Sequence, residues 1–274
     1  MPAAPPPRSL LFVPGHRPDM VAKVGRWRPD AVVVDLEDAV AAADKDRARD
    51  AAVEAVAGLD LPGTQVLLRV NPPGTPWWPD DLAAVAASRA AGAVLPKFDD
   101  PGPLEELRRW LTTSQRPEPL VIVGIETVAG VADSRALMAA GPGAAYFGAE
   151  DFVADLGGVR TPEGLEVLYA RSQVSIAARL AEVPAIDQAV MAIGDEARFR
   201  ADAEAGRRLG YVGKICIHPS QVALAHALYA PSPEEVAHAE RVLAAAGAGV
   251  AAVDGEMVDE VHARMARQVL ARRR

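Results

Sequence analysis

Cysteine is almost absent. One residue, Cys216, occurs in 274, so no intramolecular disulfide can form and no cysteine cluster can hold a metal. Its setting in the apolar run KICIHP suits a buried inert thiol better than a nucleophile. Long apolar runs are missing too. No stretch approaches membrane-spanning length, and the opening MPAAPPPRS has no signal-peptide core; the expected location is the cytoplasm. A basic surplus is lacking: 29 Lys and Arg against 37 Asp and Glu give a formal charge of −8, which argues against nonspecific binding to nucleic acid or membrane. Aromatics are only 5% while half the residues are hydrophobic, so alanine, valine and leucine must fill a large core. Neither GxGxxG nor GxxxxGK[ST] occurs, which removes the nucleotide fingerprints of the doubly wound α/β sheets. No repeat of about 20 to 50 residues is found beyond a βα unit.

What the chain does contain is a succession of short apolar runs separated by helical stretches. The runs read as strands at 9–14, 31–36, 65–70, 93–95, 120–125, 144–148, 186–191 and 213–217. Helices are expected from near Pro18, over 44–57, from near Pro79, and over 103–111, 131–140, 162–180 and 196–209. Runs apolar on both faces are buried strands of a parallel sheet. Eight of them alternating with helices, with no composition break, predict an α/β fold: a (β/α)8 TIM barrel over 1–230. The surplus, 231–274, begins with a capped helix at Ser232-Pro233-Glu234-Glu235. It passes a Gly/Ala hinge at Gly247 and Gly249 and VDGEMVDE, then ends in a helix over 260–273. A barrel closes without it, so it reads as a C-terminal helical lid or oligomerisation extension.

Polar residues gather where these strands end, the face on which such barrels carry their active sites. LVIVGIET ends in Glu126, and AAYFGAEDF runs into Glu150 and Asp151. Two consecutive strands delivering acids to one place suit a hard cation such as Mg²⁺, which takes one or two protein carboxylates and completes its shell with water and a chelating substrate; helix N-caps or surface acids are the alternative. Arg69 closes the third strand before Asn71. Its planar fork suits a carboxylate or enolate oxygen, or it forms a structural bridge to an acid such as Glu37. Glu37 and Asp38 end the second strand, and Lys97 the fourth, where it either neutralises acids or touches a phosphate. The small residues Gly148 and Ala149 let backbone amides of 148–151 approach a substrate carboxylate. Arg17 and Lys23 flank the first loop as phosphate contacts or ordinary surface charges. His218 either shapes the eighth loop or takes part in the site. Pro76, Trp77 and Trp78 are candidates for shaping the pocket.

RSLLFVPGHRPDM, VVVDLEDAV, LLRVN, VLPK, GIET, YFGAEDF, DLGGVRTPEG, KICIHPSQ and GEMVDE, in this order, resemble the citrate lyase beta-subunit-like proteins of the HpcH/HpaI aldolase/citrate lyase family, relatives of malyl-CoA and citramalyl-CoA lyases. The resemblance runs from Arg8 to the last helix. It implies a Mg²⁺-dependent carbon–carbon lyase, with Mn²⁺ as the alternative metal, in a homo-oligomer, trimer or hexamer. The implied substrate is a 3-hydroxyacyl-CoA thioester, split into acetyl-CoA and a small 2-oxo acid, with coenzyme A as part of the substrate. By motif position Glu126 and Asp151 match the metal ligands, Arg69 the arginine on the substrate oxygen, and Arg17 and Lys23 residues near the CoA phosphates. Glu37 and Asp38 are placed to orient metal-bound water. Asp259 in GEMVDE matches an acid of the C-terminal lid that in relatives reaches the active site of a neighbouring subunit, and it is the candidate to take the acetyl-CoA methyl proton in the condensation direction. Val253-Asp254-Gly255-Glu256 departs from the family's phenylalanine-glutamate before glycine-glutamine. Two further readings stay open: the beta subunit of a citrate lyase complex acting on a citryl thioester, and a class II 2-oxo-acid aldolase.

Overall fold

The computed structural model describes residues 5–113, 119–246 and 251–273. It divides into two compact units, Met1–Ala225 and His226–Arg274.

The first unit is a closed barrel of eight parallel strands in sequence order: β1 (Ser9–Pro14), β2 (Ala31–Asp35), β3 (Gln65–Arg69), β4 (Gly92–Leu95), β5 (Leu120–Ile125), β6 (Ala144–Phe147), β7 (Ala185–Asp187) and β8 (Gly213–Cys216). Pairing of β1 with β8 closes the ring, Leu10 opposite Ile215. The helices are α1 (Pro18–Val21), α2 (Lys45–Ala57), α3 (Trp78–Ala87), α4 (Gly102–Thr113), α5 (Val128–Ala132), α6 (Ser134–Met138), α7 (Ala149–Leu156), α8 (Leu165–Leu180), α9 (Glu196–Arg208) and α10 (Ser220–Tyr229). Alternate strand residues point to opposite faces. Leu10, Ala31, Val33, Leu67, Val94, Ile122, Ala144, Tyr146, Ile186 and Ile215 therefore pack together inside the barrel. The other phase, including Leu11, Val32, Val34, Leu68 and Val123, is equally buried, which is why these strands read as unbroken apolar runs.

The sequence expectation holds for all eight strands and departs in detail. The helix expected over 131–140 is two, α5 and α6, because Asp133 leaves helical geometry and serves as the cap of both. Asp has a low helix propensity, so a break at this residue costs little. α7 was not expected as a helix; its eight residues carry acids in the first turn and end at Gly157 in the left-handed conformation, a favourable C-terminal stop. The seventh strand stops at Asp187, not 191: beyond it the chain leaves the sheet and is held by Gln221, whose amide donates to the Val190 carbonyl at 2.9 Å.

Outward from β7 and β8 lies a buried charge network that sequence reading missed. Arg171 grips Asp187 and also reaches Asp202, while Lys214, fully buried, donates to Asp187 at 2.7 Å and to Asp202. Two cations and two carboxylates balance, as burial requires.

The second unit holds α11 (Pro233–Ala246), the hairpin β9 (Ala251–Val253) and β10 (Glu256–Val258), and α12 (Glu260–Ala271). Ala239, Val242, Val253, Val258 and Ala266 form its core. The hairpin was not foreseen, yet Asp254-Gly255 carries the turn: both have positive φ (54° and 86°), the geometry for which Asp-Gly is favoured between short antiparallel strands. The hinge glycines Gly247 and Gly249 lie outside the described residues. Among the described residues no helix is long and apolar enough to cross a membrane.

Candidate active site

The alternation that packs the barrel interior also builds the site. Two residues beyond Val33 is Asp35; two beyond Leu67 is Arg69; two and four beyond Ile122 are Gly124 and Glu126; two beyond Ala144 is Tyr146. Each continues the inward phase to the carboxyl end of its strand. There a cavity of about 400 Å³ opens, lined by Asp35, Asp38, Arg69, Glu126, Tyr146 and the start of α7 from Gly148 to Asp151. Phe12, Ala189, Met191, Ile215 and Ile217 add apolar lining; no sequence signal singled out these five.

Arg69 is the centre of the polar side. Its Nε and Nη2 donate to Asp35 at 2.7 and 2.6 Å, its Nη1 lies 2.8 Å from Glu37 Oε2, and the guanidinium carbon stands 5.1 Å from the Phe12 ring centroid. Burial works against its charge, but Asp35 and Glu37 outweigh burial and raise its pKa. Asp35 is held below the usual carboxylate range because Arg69 overcomes the cost of burial. Burial pushes Glu37 up to about 7 even with Arg69 and Lys97 opposing. Glu37 Oε2 is buried and makes no hydrogen bond among the described residues.

Glu126 is fully enclosed. Its Oε1 accepts from the Lys97 amide at 2.9 Å and from the Tyr146 hydroxyl at 3.1 Å. Burial raises its pKa and the nearby Asp151 charge adds to the rise. Two glycines make room for it. A Cβ on Gly148 would stand 2.3 Å from Glu126 Oε2, and one on Gly124 would stand 2.3 Å from the Tyr146 hydroxyl. Asp151 sits in the first turn of α7, 3.6 Å from Lys97 Nζ, which also bonds Glu37 and lies 3.5 Å from Asp38. Of the two readings of Lys97, it neutralises acids. Counting these groups as ionised, Asp35, Glu37, Asp38, Glu126 and Asp151 face Arg69 and Lys97, so negative charge is in excess.

Other candidates fall elsewhere. The Gly148 amide is already spent on the Ile125 carbonyl at 3.1 Å, which removes it from the expected anion cradle. α7 has no side-chain N-cap, so the amides of Ala149, Glu150 and Asp151 are the ones its start offers. The Glu150 carboxylate pairs with Arg160 at 2.9 Å. Arg17 is exposed and paired with Asp19 at 2.9 Å, while Lys23 is an exposed side chain just after α1. Asn71 is structural: its side chain bonds Asp81 and the Leu36 carbonyl. His218 bonds Ser220 locally at 2.8 Å. Trp77 stacks near Lys45, Trp78 bonds Glu106, and neither lines the cavity. Burial pushes the Cys216 thiol up to about 12, consistent with an inert residue. In the second unit Asp259 caps α12, accepting from the amide of Val261 at 2.9 Å and paired with the His262 ring at 2.7 Å. That hydrogen bond to His262 lowers its pKa.

The HpcH/HpaI aldolase/citrate lyase family profile matches residues 8–219, and a profile for carbon–carbon bond lyases of the TIM-barrel fold matches residues 168–274. A citrate lyase subunit beta-like protein of Deinococcus radiodurans is 47% identical over 277 positions, covering 96% of each chain. A (3S)-malyl-CoA thioesterase of Cereibacter sphaeroides is 33% identical and covers 97% of this chain and 94% of its own. Among solved structures, the CitE protein of Mycobacterium tuberculosis, crystallised with magnesium, acetoacetate and coenzyme A, superimposes with a TM-score of 0.84 at 33% identity over 99% of both chains.

Proposed function

The chain belongs to the HpcH/HpaI aldolase/citrate lyase family, and from that premise we propose that it is a magnesium-dependent lyase. It splits a 3-hydroxyacyl-CoA thioester, of the malyl- or citramalyl-CoA class, into acetyl-CoA and a 2-oxo acid. One observation carries the reading: in an acid-rich cavity two carboxylates, Glu126 and Asp151, stand with a guanidinium immobilised by Asp35.

The residues present fit Mg²⁺. Among the described residues no cage of three or more His, Cys, Asp or Glu is found, but this ion needs only one or two carboxylates if water and substrate supply the rest. Glu126 and Asp151 would hold it, their joint charge matching a dication. Glu37 Oε2, ion-paired with Arg69 but without a hydrogen bond among the described residues, is an acceptor suited to a water of its shell. When bound, the ion supplies a Lewis acid for the oxygen that becomes the carbonyl of the 2-oxo acid.

The chain's own groups do the remainder. Asp35 fixes Arg69 side-on, so the guanidinium meets developing enolate charge without having to reorganise. The amides of Ala149, Glu150 and Asp151 orient the acid half of the substrate through its carboxylate. Tyr146 and the Lys97 amide hold Glu126 in one orientation. The apolar lining of Ala189, Met191, Ile215 and Ile217 excludes water and receives the uncharged part of the thioester. Arg17 and Lys23 meet the CoA phosphates, which requires Arg17 to exchange its Asp19 partner. Asp259, kept ionised by His262, is the base for the acetyl-CoA methyl in the condensation direction, serving the active site of a neighbouring subunit in a homo-oligomer.

Incubation of the purified chain with malyl-CoA and citramalyl-CoA, with Mg²⁺ or with EDTA, and mass spectrometry of the products tests this. Magnesium-dependent acetyl-CoA with glyoxylate or pyruvate is expected. Free malate and CoA instead would favour hydrolysis, the activity in the name of the Cereibacter relative. Silence with both esters would favour a carrier-bound citryl thioester, the substrate expected of a citrate lyase beta subunit.

A further inference from the structure

Lys97 is oddly held. It follows β4 and Pro96 at the cavity rim with φ +49°, a left-handed conformation that costs a lysine what it would not cost glycine. The twist has two consequences. The amide points at Glu126 Oε1, 2.9 Å away, and the side chain folds back across the rim. There Nζ bonds Glu37 Oε1 and lies 3.5 Å from Asp38 Oδ2 and 3.6 Å from Asp151 Oδ1. A single residue thus touches acids delivered by β2, β5 and α7. Its side chain is about one-third exposed (32%), so the ammonium can swing toward solvent without leaving a hole.

We propose that Lys97 is the built-in counter-cation of this rim: its ammonium holds Glu37, Asp38 and Asp151 together in the metal-free chain and competes with a divalent cation for Asp151. This rests on the magnesium reading above. Both positive charges want the same carboxylate, and like charges a few ångströms apart repel even in a partly wet site. Binding of the dication therefore draws Asp151 from Lys97, while Glu37 keeps the ammonium nearby. Lys97 is a positioning residue, and its effect is on affinity for the ion and not on bond breaking.

The test is titration calorimetry with MgCl2 on the full chain, together with thermal melting with and without Mg²⁺. Wild type, Lys97→Met and Asp151→Asn are compared, each checked for native circular dichroism. The metal-free Lys97→Met variant should melt below wild type, because Glu37, Asp38 and Asp151 lose the cation they share. It should nevertheless bind Mg²⁺ about three- to tenfold tighter and gain a larger rise in Tm from the ion. A lysine serving only as a strut would give weaker binding on removal. Folded Lys97→Met binding no tighter than wild type overturns the proposal while the magnesium reading stands. Absence of binding to wild type, or full binding by Asp151→Asn, overturns the magnesium reading itself and the Lys97 proposal with it.

Discussion

Asp35 and Arg69 are register partners on β2 and β3 and meet through two hydrogen bonds of 2.7 and 2.6 Å. The pair converts a flexible cation into a fixed one. Replacing Asp35 by alanine leaves a buried guanidinium with only Glu37 beside it, and we expect a loss of about 3 kcal/mol of stability, read by urea unfolding. Arg69→Lys keeps the charge but loses the fork; kcat should fall about a hundredfold with the melting temperature nearly preserved. Activity within a few-fold of wild type in that variant would remove Arg69 from the chemistry.

Asp151 is part-exposed in the first turn of α7 and is not among the buried residues of that helix. Asp151→Ala should therefore melt within a few degrees of wild type while losing lyase activity and Mg²⁺ binding. Full activity with magnesium present would sink its assignment as a ligand.

Glu37 gives a pH signature. Its carboxyl stands at about 7 in the folded chain against an ordinary 4.5, chiefly through burial. A raised acid favours the folded state while protonated. That contribution is complete below about pH 4.5 and is lost as pH rises through 7, on the order of 3 kcal/mol across the window. In EDTA, wild type should lose stability relative to Glu37→Gln between pH 5 and 8. A pH-independent difference between the two would refute the assignment.

The Arg171, Asp187, Asp202 and Lys214 network lies outside the barrel wall, away from the cavity lining. Lys214→Met should cost about 3 to 5 kcal/mol, since two carboxylates lose a fully buried partner. The Mg²⁺ affinity of the folded fraction should not change; denaturant unfolding and calorimetry on one preparation separate the two.

Asp259→Asn keeps the acceptor oxygen that caps α12 but removes the base. Deuterium exchange into the acetyl-CoA methyl should slow by about a hundredfold or more, with the hairpin and helix intact by circular dichroism. Unchanged exchange would move the base elsewhere, Glu256 being the first candidate.

Periodicity made much of this legible. Residues buried on both faces advertise themselves as apolar runs, so all eight strands and their parallel order could be read, and the acids that interrupt those runs marked the rim. Short elements were harder: α7 and the β9–β10 hairpin are too brief for a period to register, although Gly157 and Asp254-Gly255 were local signals for both. Asp35 falls inside the strand read over 31–36, whose end is taken at Glu37 and Asp38; only its phase, shared with Ala31 and Val33, places it inward.

The sequence by itself determined the barrel, the face on which the acids gather and the family, because strand period and motif order are properties of neighbouring residues. Which charges cancel was decided only by tertiary structure. Arg69 is matched by Asp35 across a strand pair and Lys97 by Glu37 across the rim, 34 and 60 residues apart, while Asp38, Glu126 and Asp151 leave the rim with acid in excess. That remainder depends on distances between strand ends, which closing the ring sets and no local pattern encodes.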